Sequence, residues 1–353
     1  MSPLAGAKHI LRPRVVFSGI QPTGVPHLGN YVGALRQWVN LQHEEKPSTK
    51  LIYSIVDLHA ITVPQKPEVL KQRKREVLAA LLAIGLDPER CTIFYQSSVP
   101  AHSELMWILA CTASVGYLSR MTQWKSKLSL DSSSTLDEGP VGSRLKLGLF
   151  SYPVLQAADI LAHRATHVPV GHDQQQHLEF ARECVTNFNH AYGNHLVPPS
   201  TITSPAQRIM SLTDPTSKMS KSHKAQRSRI LITDTPEEIR SKIGSALTDS
   251  TPGVSYDPAT RPGFSNLLEI YSVFDAEKRS PVQLAQVYAN SSPKVLKEAV
   301  SDALIAGLHG IRDRYLDLSA NESFLEMIEK EGARKAQESA QETMEIVKSA
   351  VGL

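Results

Sequence analysis

Ser18-Gly19-Ile20-Gln21-Pro22-Thr23-Gly24-Val25-Pro26-His27-Leu28-Gly29-Asn30 closes an apolar run, Val15–Ser18, and opens a segment of helical period. A strand, a loop of small residues and a helix amino terminus, in that order, form the first unit of a doubly wound sheet. Ligands of such sheets lie beyond the carboxyl ends of the strands, against positively polarised helix starts. Gly19, Gly24 and Gly29 let the backbone approach a ligand with no Cβ in the way, and His27 and Asn30 bring polar groups to the helix start. On glycine spacing alone, a tight turn with capping residues explains the stretch equally well.

Outward from this loop the unit repeats. Short apolar runs at Val15–Ser18, Leu51–Val56, Thr92–Tyr95 and His167–Val170 alternate with helical periods at Leu28–His43, Pro67–Ile84, Ala101–Leu118 and Tyr152–His163, which predicts βαβ units and a parallel sheet. Leu28, Val32, Leu35 and Val39 recur at helical spacing, so that face should pack on the sheet. Gly85 and Asp87-Pro88 close the second helix. From Thr235 the strand signals fade, and Thr235-Pro236-Glu237-Glu238 reads as a helix start with Thr at the cap. The expected fold is α/β. A doubly wound, Rossmann-like domain covers residues 15–230 and a smaller all-helical domain residues 231–353. The serine-rich, acidic stretch Ser126–Gly142 reads as a mobile loop, since it lacks apolar positions to offset ordering entropy.

The 353 residues are 41% hydrophobic and 21% charged, with a formal net charge of +3, the make-up of a globular chain long enough for a substantial core. A run of about 18 apolar residues is absent, which excludes a membrane-spanning helix. The mild basicity is compatible with a polyanionic partner without pointing to one. Cys91, Cys111 and Cys184 are odd in number and far apart. They outline neither a disulfide framework nor a metal knuckle and fit a reducing compartment. The tail 1–14 holds Lys8, His9, Arg12 and Arg14 and no acid, a composition shared by organellar targeting sequences and by frayed basic ends.

Ser217-Lys218-Met219-Ser220-Lys221-Ser222 lies at the expected domain junction. Two lysines flanking small hydroxyl residues suit a loop that closes on a triphosphate: lysine brings compact charge to pyrophosphate oxygens, and hydroxyls and backbone N–H groups add short contacts. Pro26-His27-Leu28-Gly29-Asn30 resembles the first signature of class I aminoacyl-tRNA synthetases and Lys218–Ser222 the second, in the right order and roughly 190 residues apart. Asn30 stands where many relatives carry His, and keeps a donor for phosphate or ribose. From about Val15 onward the chain is similar to the tryptophanyl-tRNA synthetases of the bacterial and organellar branch. The stretches that carry this are Phe17–Gln37, Ile55–Val63, Met121–Lys125, Tyr152–Ile160, Val168–His177, Arg208–Ser222 and Pro262–Tyr271. The spelling around Lys125 and over Leu147–Tyr152 is closest to fungal mitochondrial members.

This resemblance implies ATP-dependent attachment of tryptophan to tRNA(Trp) through tryptophanyl-adenylate, with Mg²⁺ assisting. Lys218, Lys221, His27, Asn30 and Lys125 are the implied catalytic residues. The implied ATP site comprises Gln21, Pro22, Thr23, Gly29, Asn30, Gly171, His172, Asp173, Ile209, Lys218, Met219, Ser220, Lys221 and Ser222. His172 replaces a common Glu. For tryptophan the residues are Asp159, Tyr152, Gln174, Phe17, Gly19, Val168 and Val170. Chemically, a carboxylate at Asp159 can accept the indole N–H, and a site built around that bond penalises a ligand lacking the donor. Phe17, Val168 and Val170 would form apolar walls, and Tyr152 and Gln174 would hold the α-amino and carboxyl ends.

His163, His167, His172 and His177 crowd one region, yet strand-end and helix-surface positions account for them better than zinc, and no metal ligand is assigned. The helical domain, with Arg240, Lys242, Lys294 and Lys297, is expected to meet the anticodon end of tRNA. A homodimer and a mitochondrial matrix location are further implications, a cytoplasmic one being the alternative. A tyrosyl-tRNA synthetase and an inactive, RNA-binding synthetase relative are the rival readings.

Overall fold

A computed structural model of the chain describes residues 13–128, 145–171, 174–203, 208–221, 223 and 225–353. Most of the basic tail and the expected serine-rich loop beyond Leu128 lie outside the described residues, while Ser126 and Lys127, read as the start of that loop, are helical. Strands β1 (Val15–Ile20), β2 (Lys50–Ile55), β3 (Cys91–Tyr95), β4 (His167–Val170) and β5 (Ser200–Thr203) pair in parallel in the order β3-β2-β1-β4-β5. Chain direction away from β1 reverses between β2 and β4, so a crevice opens at the carboxyl ends of β1 and β4. The sheet is the predicted doubly wound one, with β5 added at its edge.

The first predicted helix is broken. Helix α1 (Leu28–Asn30) passes through a π-helical turn, Tyr31–Leu35, into α2 (Arg36–Glu44). The wider π turn rotates everything after it: Leu35, Trp38 and Leu41 become the buried face, while Val32 and Val39 are only partly covered. Trp38 stacks on Tyr53 at 4.4 Å. After α3 (Asp57–Ala60), helix α4 (Pro67–Ala83) ends as predicted before Gly85, whose φ of +104° suits glycine. The predicted Ala101–Leu118 helix is two, α5 (Ala101–Ala110) and α6 (Val115–Arg120), because the Ser114 side chain caps a new helix by accepting from the Tyr117 N–H. Following α7 (Gln123–Lys127), helix α8 (Leu147–Ala162) begins earlier than expected and runs through Pro153. Helix α9 (Gln175–Tyr192) packs on α8.

Helix α10 (Pro236–Gly244) starts at the predicted Thr235, with a capping box closed by Glu238. Helices α11 (Pro262–Phe274) and α12 (Pro281–Val287) pack on each other, and α13 (Pro293–Gly307) packs on both α10 and α11. The expected boundary after residue 230 is not a break in packing. Ile239, Phe264 and Leu296 share one core with Trp38 and Val77, and α14 (Ile311–Ala320) lies on α4. The last helix, α15 (Glu322–Val351), returns to the sheet and packs on β3, α5 and α8. Its Ala336, Ala340, Met344 and Val347 join the core of Phe17, Phe94 and Val168. Fully burying a side chain such as Met or Val is worth about 1.5–3 kcal/mol, so this stripe holds α15 to the sheet and α8. Contact with β3 is possible because residue 332 is Gly: a Cβ there would collide with the Ile93 carbonyl oxygen.

Candidate active site

Beyond the carboxyl ends of β1 and β4 lies a cavity of about 340 Å³. Phe17, Gly19, Tyr152, Asp159, Val168, Val170 and Gln174, the residues expected to hold the amino acid, all line it. Strand alternation explains four of these seven: Phe17 and Gly19 on β1, and Val168 and Val170 on β4, are two apart and so face the same side. Helix α8 supplies Tyr152 and, two turns later, Asp159.

Asp159 is 2% exposed. One carboxylate oxygen, Oδ2, is 2.8 Å from His59 Nε2, while Oδ1 accepts from Gln96 Nε2 at 2.7 Å and lies 2.6 Å from His102 Nδ1. Burial alone would push this carboxyl up, but hydrogen bonds from His102 and His59 hold it well below the ordinary carboxylate range. The group is therefore a carboxylate, with three of about four lone-pair sites occupied and the cavity on its remaining side. Tyr152 is engaged on its hydroxyl, which donates to Gln123 Oε1 at 2.8 Å and lies 2.8 Å from His177 Nε2. Gln174 Oε1 accepts from Gln156 Nε2 at 3.3 Å.

The two signature stretches meet beside this cavity, which Gln21 also lines. Leu28 N–H donates to the Ile230 carbonyl and Ile232 N–H to that of Pro26. Lys221 Nζ crosses to the first loop, donating to the Gly24 carbonyl at 2.7 Å and to the Thr23 carbonyl at 3.0 Å and Oγ1 at 3.3 Å. Gly24 has a φ of +88°, which turns its carbonyl toward that ammonium. Burial lowers the Lys221 pKa to about 8, Glu76 opposing and Arg73 and Arg229 reinforcing the shift. His27 and Asn30 form a reciprocal cap, each side chain accepting from the other's backbone N–H at 3.3 Å. Burial, then Lys221, Arg229 and Lys218, bring His27 down to about 4. It is a neutral imidazole whose Nδ1 accepts, which leaves Nε2–H as the donor.

Met219 is buried and its N–H donates to the Ile209 carbonyl, which ties Ile209 to the signature loop. Lys218 and Ser220 flank it, Pro22 is buried under the first loop, and Gly29 sits against the His27 ring and Met219. Gly171 closes β4 by accepting from the Gln174 N–H, whereas His172, Asp173 and Ser222 lie outside the described residues.

Several placements differ from expectation. Lys125 is buried with its ammonium 5.5 Å from the Trp124 ring and does not line the cavity; Lys127, one place short of the next helical turn, does, with Nζ 4.8 Å over the Tyr152 ring. His163 and His177 are not surface histidines: both are buried in the core. The charges expected on the tRNA are largely engaged, Arg240 with Asp302, Lys242 with Asp234, and Lys297 with the Gly244 and Ala246 carbonyls at the end of α10. Lys294 is exposed, 3.9 Å from Glu298. His59, Gln123, Gln156 and Lys127 were missed although each lies in or beside a stretch that carried the resemblance. For His59, between Leu58 and Ala60, and Gln156, between Leu155 and Ala157, the available signal was polarity among apolar neighbours.

Fold and site together define a class I aminoacyl-tRNA synthetase, and residues 10–309 match the family described as tRNA synthetases class I (W and Y). The mitochondrial tryptophan–tRNA ligase of Schizosaccharomyces pombe is 45% identical over 360 residues, covering 100% of this chain and 99% of the relative. The tryptophan–tRNA ligase of the bacterium Enterococcus faecalis is 43% identical, covering 96% of this chain and 98% of the relative. The crystal structure of tryptophanyl-tRNA synthetase from Campylobacter jejuni, complexed with ADP and tryptophan, superposes with a TM-score of 0.78 at 31% identity, covering 96% of this chain and all of that one. The chain belongs to the tryptophan–tRNA ligases. The tyrosyl alternative is not favoured.

Proposed function

We propose that the cavity at the ends of β1 and β4 binds tryptophan and that the loops bearing His27 and Lys221 bind ATP beside it. As a tryptophan–tRNA ligase, the chain joins tryptophan to tRNA in two steps. The amino acid carboxylate displaces pyrophosphate from the α-phosphorus of ATP to give tryptophanyl-adenylate. A ribose hydroxyl of the tRNA end then takes the aminoacyl group, releasing AMP. The attacking carboxylate is already ionised, so no protein nucleophile or strong base is required, and catalysis is positioning plus stabilisation of charge moving onto pyrophosphate.

The observation that carries this reading is a buried carboxylate, Asp159, facing an apolar-walled cavity next to the paired signature loops. Its open side accepts the indole N–H. Neutral His27 donates to a phosphate oxygen, and Lys218 and Lys221, joined by Lys127 at the cavity mouth, take the pyrophosphate charge. Mg²⁺ is proposed to enter together with the ATP substrate. Helices α10–α13 are the proposed anticodon-side module. The homodimer is supported by exposed Trp107, Val115 and Leu147 on α5, α6 and α8, and light scattering reads its mass. Pyrophosphate exchange tests the activity: tryptophan should support it roughly 100-fold better than tyrosine, and equal rates, or none with either, would overturn the reading.

The similarity to the fungal mitochondrial ligase and the basic, acid-free start support a mitochondrial site of action. A reporter fused behind the native amino terminus should enter mitochondria of a fungal host; a purely cytosolic signal would count against it.

A further inference from the structure

Two buried histidines have no part in the chemistry above. His102 on α5 is fully buried, and His163, at the end of α8, is 3% exposed. Both sit among aromatic rings: Phe17 stacks on His163 at 5.7 Å, and Phe94 lies 5.6 Å from each. An apolar side chain would fill this space without the cost of burying polar nitrogens. Their hydrogen bonds instead run along one line. Ser339 Oγ on α15 is 3.2 Å from His163 Nδ1, His163 Nε2 is 3.2 Å from His102 Nε2, and His102 Nδ1 is 2.6 Å from Asp159 Oδ1.

One assignment of protons satisfies every link with neutral rings. Asp159 is a carboxylate, so His102 Nδ1 must donate to it. His102 Nε2 then accepts from His163 Nε2–H, and His163 Nδ1 accepts from the Ser339 hydroxyl. Every donor points toward Asp159. Burial holds His163 well below its ordinary pKa, in line with a neutral ring.

We propose that His102 and His163 are positioning residues for the Asp159 carboxylate, and that the last helix, through Ser339, thereby helps set selectivity for the indole N–H. The chain clamps Oδ1 together with Gln96 and fixes the rotation of the carboxylate, so its one remaining acceptor site faces the cavity. The proposal rests on Asp159 being the indole reader.

The test compares tryptophan with its benzothiophene analogue, which lacks the ring N–H donor, in pyrophosphate exchange. His163→Phe fills the same space and removes both links. It should lower kcat/KM for tryptophan roughly tenfold, chiefly through KM, while the analogue and the KM for ATP hardly change. His163→Gln, whose amide can donate to His102, should recover most of the loss, and His102→Asn, which keeps the donor to Asp159, should be milder than His163→Phe in selectivity. Equal losses for both amino acids, or no recovery in His163→Gln, would overturn the proposal and leave the histidines as packing. Asp159→Asn separates the two layers. If it loses tryptophan selectively while His163→Phe does not, the reader stands and the chain fails; if it affects both ligands alike, the reader itself fails.

Discussion

Replacing Lys221 with alanine is expected to slow tryptophanyl-adenylate formation by roughly 30- to 1000-fold, the cost of about 2–4 kcal/mol of lost transition-state stabilisation. Tryptophan affinity should stay nearly unchanged, because the residue touches the first signature loop and not the cavity wall. The ammonium donates to the neutral carbonyl oxygens of Thr23 and Gly24, which leave its positive charge uncancelled. With a pKa near 8, it loses its proton as pH rises through that value, and a bound triphosphate, favouring the charged form, moves the loss upward. Exchange without saturating ATP should therefore fall on the alkaline side in the wild type. That limb should disappear from the residual activity of Lys221→Ala. The variant also removes a tie between two loops, so tryptophan binding measured by fluorescence without ATP is the control. Adenylation at the wild-type rate would take the lysine out of the mechanism.

The sheet was legible because its strands are apolar runs bounded by turn residues, and β1, β2, β3 and β4 fall within two residues of where the pattern puts them. Strand β5, Ser-Thr-Ile-Thr, was not: an edge strand exposed on most of its length carries no apolar run. Helix ends failed for local reasons. The helical period reads from Tyr152, yet the five residues upstream, Leu147–Ser151, are already helical in α8. The π turn after Asn30 changes which residues are buried without changing composition. For the site, residues attached to a motif were legible, and the long-range partners were not. Nothing in the spacing of His59, Gln96 and His102 says that all three converge on residue 159. That convergence is set by strand order, which places the ends of β2 and β3 beside α8.

Asp159 carries the substrate assignment, and its three partners change how a mutation there must be read. Asp159→Ala should lower kcat/KM for tryptophan roughly 5- to several-hundred-fold, the consequence of leaving the indole donor buried without an acceptor. The same change strands His59, Gln96 and His102, and each buried donor left unmade costs about 1–3 kcal/mol. A lower melting temperature is thus expected along with the kinetic loss, and a fall in activity alone cannot identify the reader. Comparison across ligands can. The benzothiophene analogue should be a poor substrate of the wild type, because its sulfur leaves the Asp159 oxygen unpaired, and should lose little more in the variant. Damage to the pocket enters both ligands' rates and cancels in their ratio, so the change in that ratio measures the single bond between indole and carboxylate. ATP affinity should hold, since Asp159 lies with Phe17 and Val168 around the cavity, apart from the His27 and Lys221 loops. If tryptophan and the analogue suffer equally, Asp159 serves only to bind three side chains together, and discrimination has to come from the shape of the walls that Phe17, Val168 and Val170 build.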